Sequence, residues 1–139
     1  MALNTTFTGN SIVIECIETL KEGSSLSKSL PFTLFEQVAK NLDVSSKDLA
    51  DVVSIPRSTL ANRKKVGVLS GEEADRILRV ERVMREATET LGSLENARLW
   101  MQTPSPDLNG LTPFEATKTD PGAEEVRVLL YKIGHGVVF

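Results

Sequence analysis

Residues 46–65 read SKDLADVVSIPRSTLANRKK, and their punctuation decides the fold. Ser45 or Ser46 offers a hydroxyl to cap a helix that carries Leu49, Ala50, Val52 and Val53. Ser54-Ile55-Pro56 then interrupts it, because Pro56 has no amide proton to continue the ladder. A further helix follows from about Arg57 to Lys65 and stops at Gly67. Two short helices joined by a turn of about three residues have helix-turn-helix proportions, with Leu60 of the second turned inward.

That geometry directs the N-terminal residues of the second helix at a major groove. Here they are Arg57, Ser58 and Thr59, with Asn62 one turn on. Arginine pairs bidentately with guanine and asparagine with adenine, so Arg57 and Asn62 are the candidate base readers. Arg63, Lys64 and Lys65 are placed for phosphates. Between Pro56 and Leu69 there are four basic residues and no acidic one, in a chain of net charge -3. This local reversal of sign is the electrostatic support for nucleic-acid contact. The bland alternative is that the three basic residues solvate a helix end and favour its dipole.

Outward from this segment the pattern stays helical. Leu34, Phe35, Val38, Ala39 and Leu42 form a wide apolar stripe. Ser70-Gly71-Glu72-Glu73 is a capping box; it opens a long amphipathic helix that Gly92 ends. Ser93 caps a shorter helix, Leu94 to Met101. Thr112-Pro113-Phe114-Glu115 is a second capping box with proline at the first helical position. Asp120-Pro121-Gly122 repeats the cap-then-proline logic before a last helix from about Ala123 to Ile133. Ser11 to Leu20 fits a helix or a strand; the Lys21-Glu22-Gly23 terminus favours the helix. Residues 1–10 are Thr/Asn-rich and read as poorly ordered, and Ser24 to Ser29 as a polar linker. The expected fold class is all-α.

The bulk numbers fit this reading. A length of 139 residues with 40% hydrophobic content is ordinary for one domain, or two small ones. Cys16, the single cysteine, reads as a small buried hydrophobe and suits a reducing compartment. The polar N-terminus has no basic segment of a secretory signal. No apolar run approaches the roughly 20 residues of a membrane span. A soluble cytoplasmic protein is expected.

Nothing in the chain forms a catalytic set or a metal site. There is no phosphate loop and no G-x-S-x-G. The one histidine, His135, is remote from the one cysteine. Glu72, Glu73, Glu124 and Glu125 stand in first helical turns, where acidic residues complement the dipole. The expectation is a non-enzyme with no cofactor.

Trp100, Asn109, Gly110 and Pro113 read chiefly as structural. Asn109-Gly110 supplies a tight turn that tolerates positive φ. Trp100 suits core packing, with partner contact as its alternative. Val137, Val138 and Phe139 follow two glycines and are too few to form a core; they tuck back or enter a groove on a partner. Tyr131 and His135 share a face only if the last helix runs past Gly134.

From about Ser46 to Phe139 the sequence resembles the Xre/MbcA/ParS family of antitoxins. The resemblance rests on SIPRSTLANRK with Thr59 and Arg63, then on Ser70, Glu73, Arg76 and Gly92 in order. It continues through Ala97 and Trp100, the turn from Asn109 to Pro113, and the segment Gly122 to Gly136. The turn departs from the pattern, with Ser54 where glycine is more usual. The resemblance implies an antitoxin encoded beside a RES-domain toxin that consumes NAD. Such an antitoxin obstructs the toxin's active site through its C-terminal region and binds operator DNA as a homodimer within a larger complex. It implies toxin contacts at Tyr131, Lys132, His135, Val137, Val138 and Phe139. The expected organisation is an N-terminal segment (1–30, partly disordered, outside the resemblance), a helix-turn-helix domain (31–69) and a toxin-binding domain (70–139). The alternative is a helix-turn-helix regulator with a helical dimerisation domain and no toxin.

Overall fold

A computed structural model describes residues 10–21 and 29–136. Helix α1 spans Asn10–Lys21, α2 Thr33–Leu42, α3 Ser46–Val52 and α4 Arg57–Val66. Then come α5 Gly71–Leu91, α6 Leu94–Met101, α7 Pro113–Ala116 and α8 Asp120–Gly134. A 3-10 turn at Pro106–Leu108 precedes α7. Packing divides the chain into two compact units inside α5, between Leu78 and Arg79. The capping box at Ser70 marks where a helix starts, whereas the packing boundary lies two turns further on.

The all-α expectation holds for the architecture, with one addition. Strand β1, Ser29–Pro31, pairs antiparallel with β2, Val68–Ser70, in the register Ser29↔Ser70, Leu30↔Leu69, Pro31↔Val68. Leu30 and Leu69 are buried while most of their neighbours face out, which is the period of a strand. Three residues are too few to display that period in a sequence, so Ser29 reads as the end of a linker and Ser70 only as a helix cap.

In the first unit the core gathers Val13, Cys16, Leu34, Phe35, Leu42 and Leu49. The helical reading of the first apolar segment is the one observed: α1 buries Val13 and Cys16, three apart. Burial, with the Glu15 charge adding to it, pushes the Cys16 thiol up to about 11, so it stays protonated. Its expected reading as a small hydrophobe fits. Phe32 stacks on Phe35 at 5.4 Å. The expected helix end at Glu22 and Gly23 lies outside the described residues.

Ser45 is the cap of α3, accepting from the Asp48 amide at 3.0 Å. The turn after it places Ser54 at φ 57. That is the left-handed region, where a side chain costs about 1–2 kcal/mol and glycine almost nothing. The departure from the more usual glycine therefore carries strain. Ser54→Gly is expected to stabilise the chain by about 0.5–1 kcal/mol, partly offset by the greater freedom of glycine in the unfolded chain. Thermal denaturation measures this; a lowered midpoint would show that the Ser54 hydroxyl outweighs the strain.

In the second unit α5 buries Val80, Val83, Met84 and Ala87, and α8 buries Ala123, Val126 and Leu130. Helix α8 starts three residues earlier than expected. Its cap is Thr119 rather than Asp120, accepting from the Gly122 amide at 3.0 Å. Arginines close the unit. Arg79 reaches Asp120 at 3.0 Å and donates to the carbonyl of Lys118, also at 3.0 Å. Arg127 forks onto Glu86 through Nε at 2.9 Å and Nη2 at 3.2 Å.

Glu81 is an exception to the apolar stripe of α5. It is only 2% exposed, and neither carboxylate oxygen has a hydrogen-bond donor; Arg85 Nη1 stands 3.5 Å away. Burial pushes its carboxyl up against the pull of Arg85 and Arg82. A carboxyl whose folded pKa is raised costs stability above that pKa, and protonation relieves the cost as pH falls. Glu81→Met is thus expected to raise stability at neutral pH by about 1–2 kcal/mol, with a shrinking advantage in acid. Equal midpoints for the two proteins at neutral pH would contradict this.

Candidate functional site

Helix α4 has no buried residue. Pro56 stands at its N-terminus in extended conformation with no side-chain cap, so the first amides point outward unclaimed by a side chain. Arg57, Ser58 and Asn62 are exposed, as are Lys64 and Lys65; Thr59 and Leu60 are half-buried and seat the helix. The helix carries no acidic residue. The exposed face is therefore positive, with a planar guanidinium at its start and two ammonium groups in its last turn.

Arg63 departs from the phosphate role expected of it. Its Nε donates to Glu73 Oε1 at 2.8 Å and its Nη2 to Oε2 at 3.1 Å. The Ser70 amide also donates to Glu73 Oε1, at 2.9 Å, and the Glu73 amide donates back to Ser70 Oγ. The capping box at the start of α5 thus doubles as an anchor for α4. Burial raises the Glu73 carboxyl, but the bonds from Arg63 and Ser70 and the Arg63 charge outweigh it and hold it below its ordinary value. The same pairing holds the Arg63 guanidinium charged. Arg76 completes the frame, donating to the Val53 carbonyl at 2.7 Å. Arg63 was legible as a basic residue one turn after Thr59; that its fork turns to Glu73 needed the geometry.

The second region is the end of α8. Its C-terminal cap is His135, whose amide donates to the Tyr131 carbonyl at 3.1 Å. The backbone therefore does pass Gly134 in a helical sense, and the two rings share a face. Tyr131 and His135 stack with centroids 3.9 Å apart and planes 23° from parallel. Tyr131 is 63% exposed and His135 is exposed, while Lys132 is half-buried. Val137, Val138 and Phe139 lie outside the described residues.

The expected structural residues fall around this unit. Asn109 and Gly110 both take positive φ, 57 and 83. Pro113 is buried at the first position of α7, and Thr112 with Glu115 forms the complete capping box. Trp100 is half-buried beside buried Met101, while Leu99 is exposed. Sequence reasoning passed over Leu99 and also Val128, both exposed apolar residues on otherwise amphipathic helices.

The similarities to known proteins follow the two regions. Residues 23–82 match the antitoxin Xre-like helix-turn-helix domain. Residues 86–136 match the antitoxin Xre/MbcA/ParS C-terminal toxin-binding domain. The chain is 29% identical over 115 residues to an antitoxin Xre of Photorhabdus laumondii, covering 81% of this chain and 78% of that protein. An antitoxin Xre of Yersinia enterocolitica is 28% identical over 123 residues, 87% of this chain and 79% of its own. A third, from Pseudomonas putida, is 30% identical over 83 residues, 59% of this chain and 52% of its own. The two matches run in order along the chain, a helix-turn-helix domain followed by a toxin-binding domain. It belongs to the Xre/MbcA/ParS family of antitoxins. Among the described residues no helix is long and apolar enough to cross a membrane.

Proposed function

We propose that this antitoxin acts in the cytoplasm on a RES-domain toxin and blocks that toxin's NAD site with the end of α8 and the tail after it. The observation that carries the reading is the toxin-binding domain match ending at residue 136, beside the exposed Tyr131–His135 stack. An aromatic pair with a basic neighbour, followed by the apolar Val137, Val138 and Phe139, suits insertion into a pocket that holds a nucleotide base and phosphates. The protein itself performs no chemistry. Co-expression with the product of the adjacent gene tests the reading. Growth should be restored by the full chain and not by a chain ending at Ile133, with both chains equally folded. Growth arrest with the full chain present would refute the reading, and so would rescue by the shortened one.

The same protein represses its own operon as a homodimer, with α4 in the major groove of each half-site. Arg57 and Asn62 read base edges, Ser58 and Thr59 support them, and Lys64 and Lys65 hold phosphates. The exposed positive face of α4 supports this, and Arg63 serves by fixing the helix. Arg57→Ala is expected to lose about 1–3 kcal/mol of discrimination between operator and random duplex. Lys64→Ala should weaken both equally and lower the salt slope by about one. Binding titrations at several salt concentrations measure both; uniform loss from Arg57→Ala would demote it to a phosphate contact.

A further inference from the structure

Along α8, Val128 is 44% and Tyr131 63% exposed, three residues apart and so neighbours on one face. A groove runs on each side of Val128, and Tyr131 lines one of the two. One is walled on the far side by Glu86, Glu89 and Thr90 of α5. The other is walled by Asp107 and Leu108 of the 3-10 turn. Glu124 and Val128 line both grooves and form the crest between them. The surface is acidic: Glu86, Glu89, Asp107, Glu124 and Glu125 face Arg127 and Lys132. Arg127 is itself paired with Glu86 and, at 3.2 Å, with Glu124.

We infer that this crest is where the toxin-binding domain seats its partner, and that the partner offers an apolar socket edged with arginine or lysine. The inference rests on the toxin reading above and deepens it. It moves the contact back about three turns from the C-terminal end of α8, to Glu124. An apolar knob at Val128 and Tyr131 between acidic walls has the anatomy of an interface centre with a charged rim. The sign of the walls repels nucleic acid, so this face and the positive face of α4 select different partners. The centre sets how long the complex lasts, and the rim sets how fast it forms.

The test uses the full chain and the purified toxin of the adjacent gene, with association and dissociation rates read at about 0.1 M and about 1 M salt. Val128→Arg should lower affinity by about tenfold or more, mainly through faster dissociation. Glu89→Lys with Glu125→Lys should slow association several-fold at low salt, and the deficit should fade at high salt as screening tightens to about 3 Å. Operator affinity and thermal midpoint should stay at wild-type values in both, since these side chains are exposed. If Val128→Arg lowers the midpoint, Val128→Ser takes its place with the same direction expected. Wild-type rates in these variants overturn the crest while leaving the toxin reading intact. A wild-type chain that does not bind the toxin overturns both. A change in the antitoxin's own oligomeric state without a change in toxin affinity assigns the crest to self-association and overturns the proposal.

Discussion

Gly122→Ala is expected to destabilise the second unit by about 3 kcal/mol or more, lowering its thermal midpoint by on the order of 10–20 °C. The reason is the sharp passage from α7 into α8. A Cβ on Gly122 would fall onto the Ala116 carbonyl oxygen and stand 3.0 Å from Thr119 Oγ1. The first atom belongs to the backbone and cannot rotate away. The second is the cap of α8, held on the Gly122 amide. Relief would require shifting the start of α8, and with it the Arg79–Asp120 pair and the Arg79 bond to Lys118. Gly110→Ala is the control. Gly110 has φ 83 but open space around its would-be Cβ, so it tests conformational strain alone, at about 1 kcal/mol. If the two substitutions cost the same, the close approach at Gly122 does not exist. Because α8 also carries Tyr131 and Val128, Gly122→Ala should reduce toxin binding as well, and in proportion to the unfolded fraction.

These two glycines illustrate what the sequence could disclose. Asn109-Gly110 announced a turn because positive φ restricts residue choice locally. Gly122 sat inside a cap-then-proline pattern that explained it adequately, so its contact with Ala116 had no separate signal. The same division runs through the fold. Helices with hydroxyl caps, at Ser45, Ser70, Ser93 and Thr112, were legible to within a residue or two because capping is a local hydrogen bond. The β1–β2 pair was not, since its partners lie some forty residues apart and each is one turnless tripeptide. In the candidate site, exposure of Arg57, Asn62, Lys64 and Lys65 followed from helical geometry. The use of Arg63 depended on where Glu73 points, which is a tertiary fact. Glu81 left a trace, a carboxylate at a position where the Ile77 and Met84 spacing calls for an apolar residue, but nothing local distinguishes a buried charge from a helix turned slightly outward. A shared face for Tyr131 and His135 requires the chain to pass Gly134 helically, and the His135 cap meets that condition.

Glu73→Ala is expected to cost about 2–3 kcal/mol of stability and, with it, operator affinity, because the Glu73 carboxylate holds Arg63 and the Ser70 amide. Its carboxylate accepts three hydrogen bonds, two from Arg63 and one from the Ser70 amide. Removing it strips the box from the start of α5 and leaves the Arg63 fork without its acceptor. Breaking a buried pair costs about 3–5 kcal/mol; the Arg63 side chain is 33% exposed, so water recovers part of that. Helix α4 has no buried residue of its own, so this pair and half-buried Thr59 and Leu60 fix its orientation. Loss of the pair frees the recognition face, and ordering it again on DNA weakens binding. Arg63→Ala should destabilise similarly, and the double substitution should cost well below the sum, since both single changes remove one interaction. The pH dependence has a fixed sign. A carboxyl held below its ordinary value of 4.5 contributes its stability in full above that value and loses it as pH falls through the lowered folded value. The gap between wild type and Glu73→Gln should therefore be constant from neutral pH to about 5 and close in stronger acid. Arg63 as a phosphate ligand makes a different set of predictions: an unchanged midpoint for Arg63→Ala, additive single and double substitutions, and a salt slope lower by about one. Denaturation at several pH values together with operator titration at several salts separates these cases, because the anchoring role moves stability first and the phosphate role moves only the salt slope.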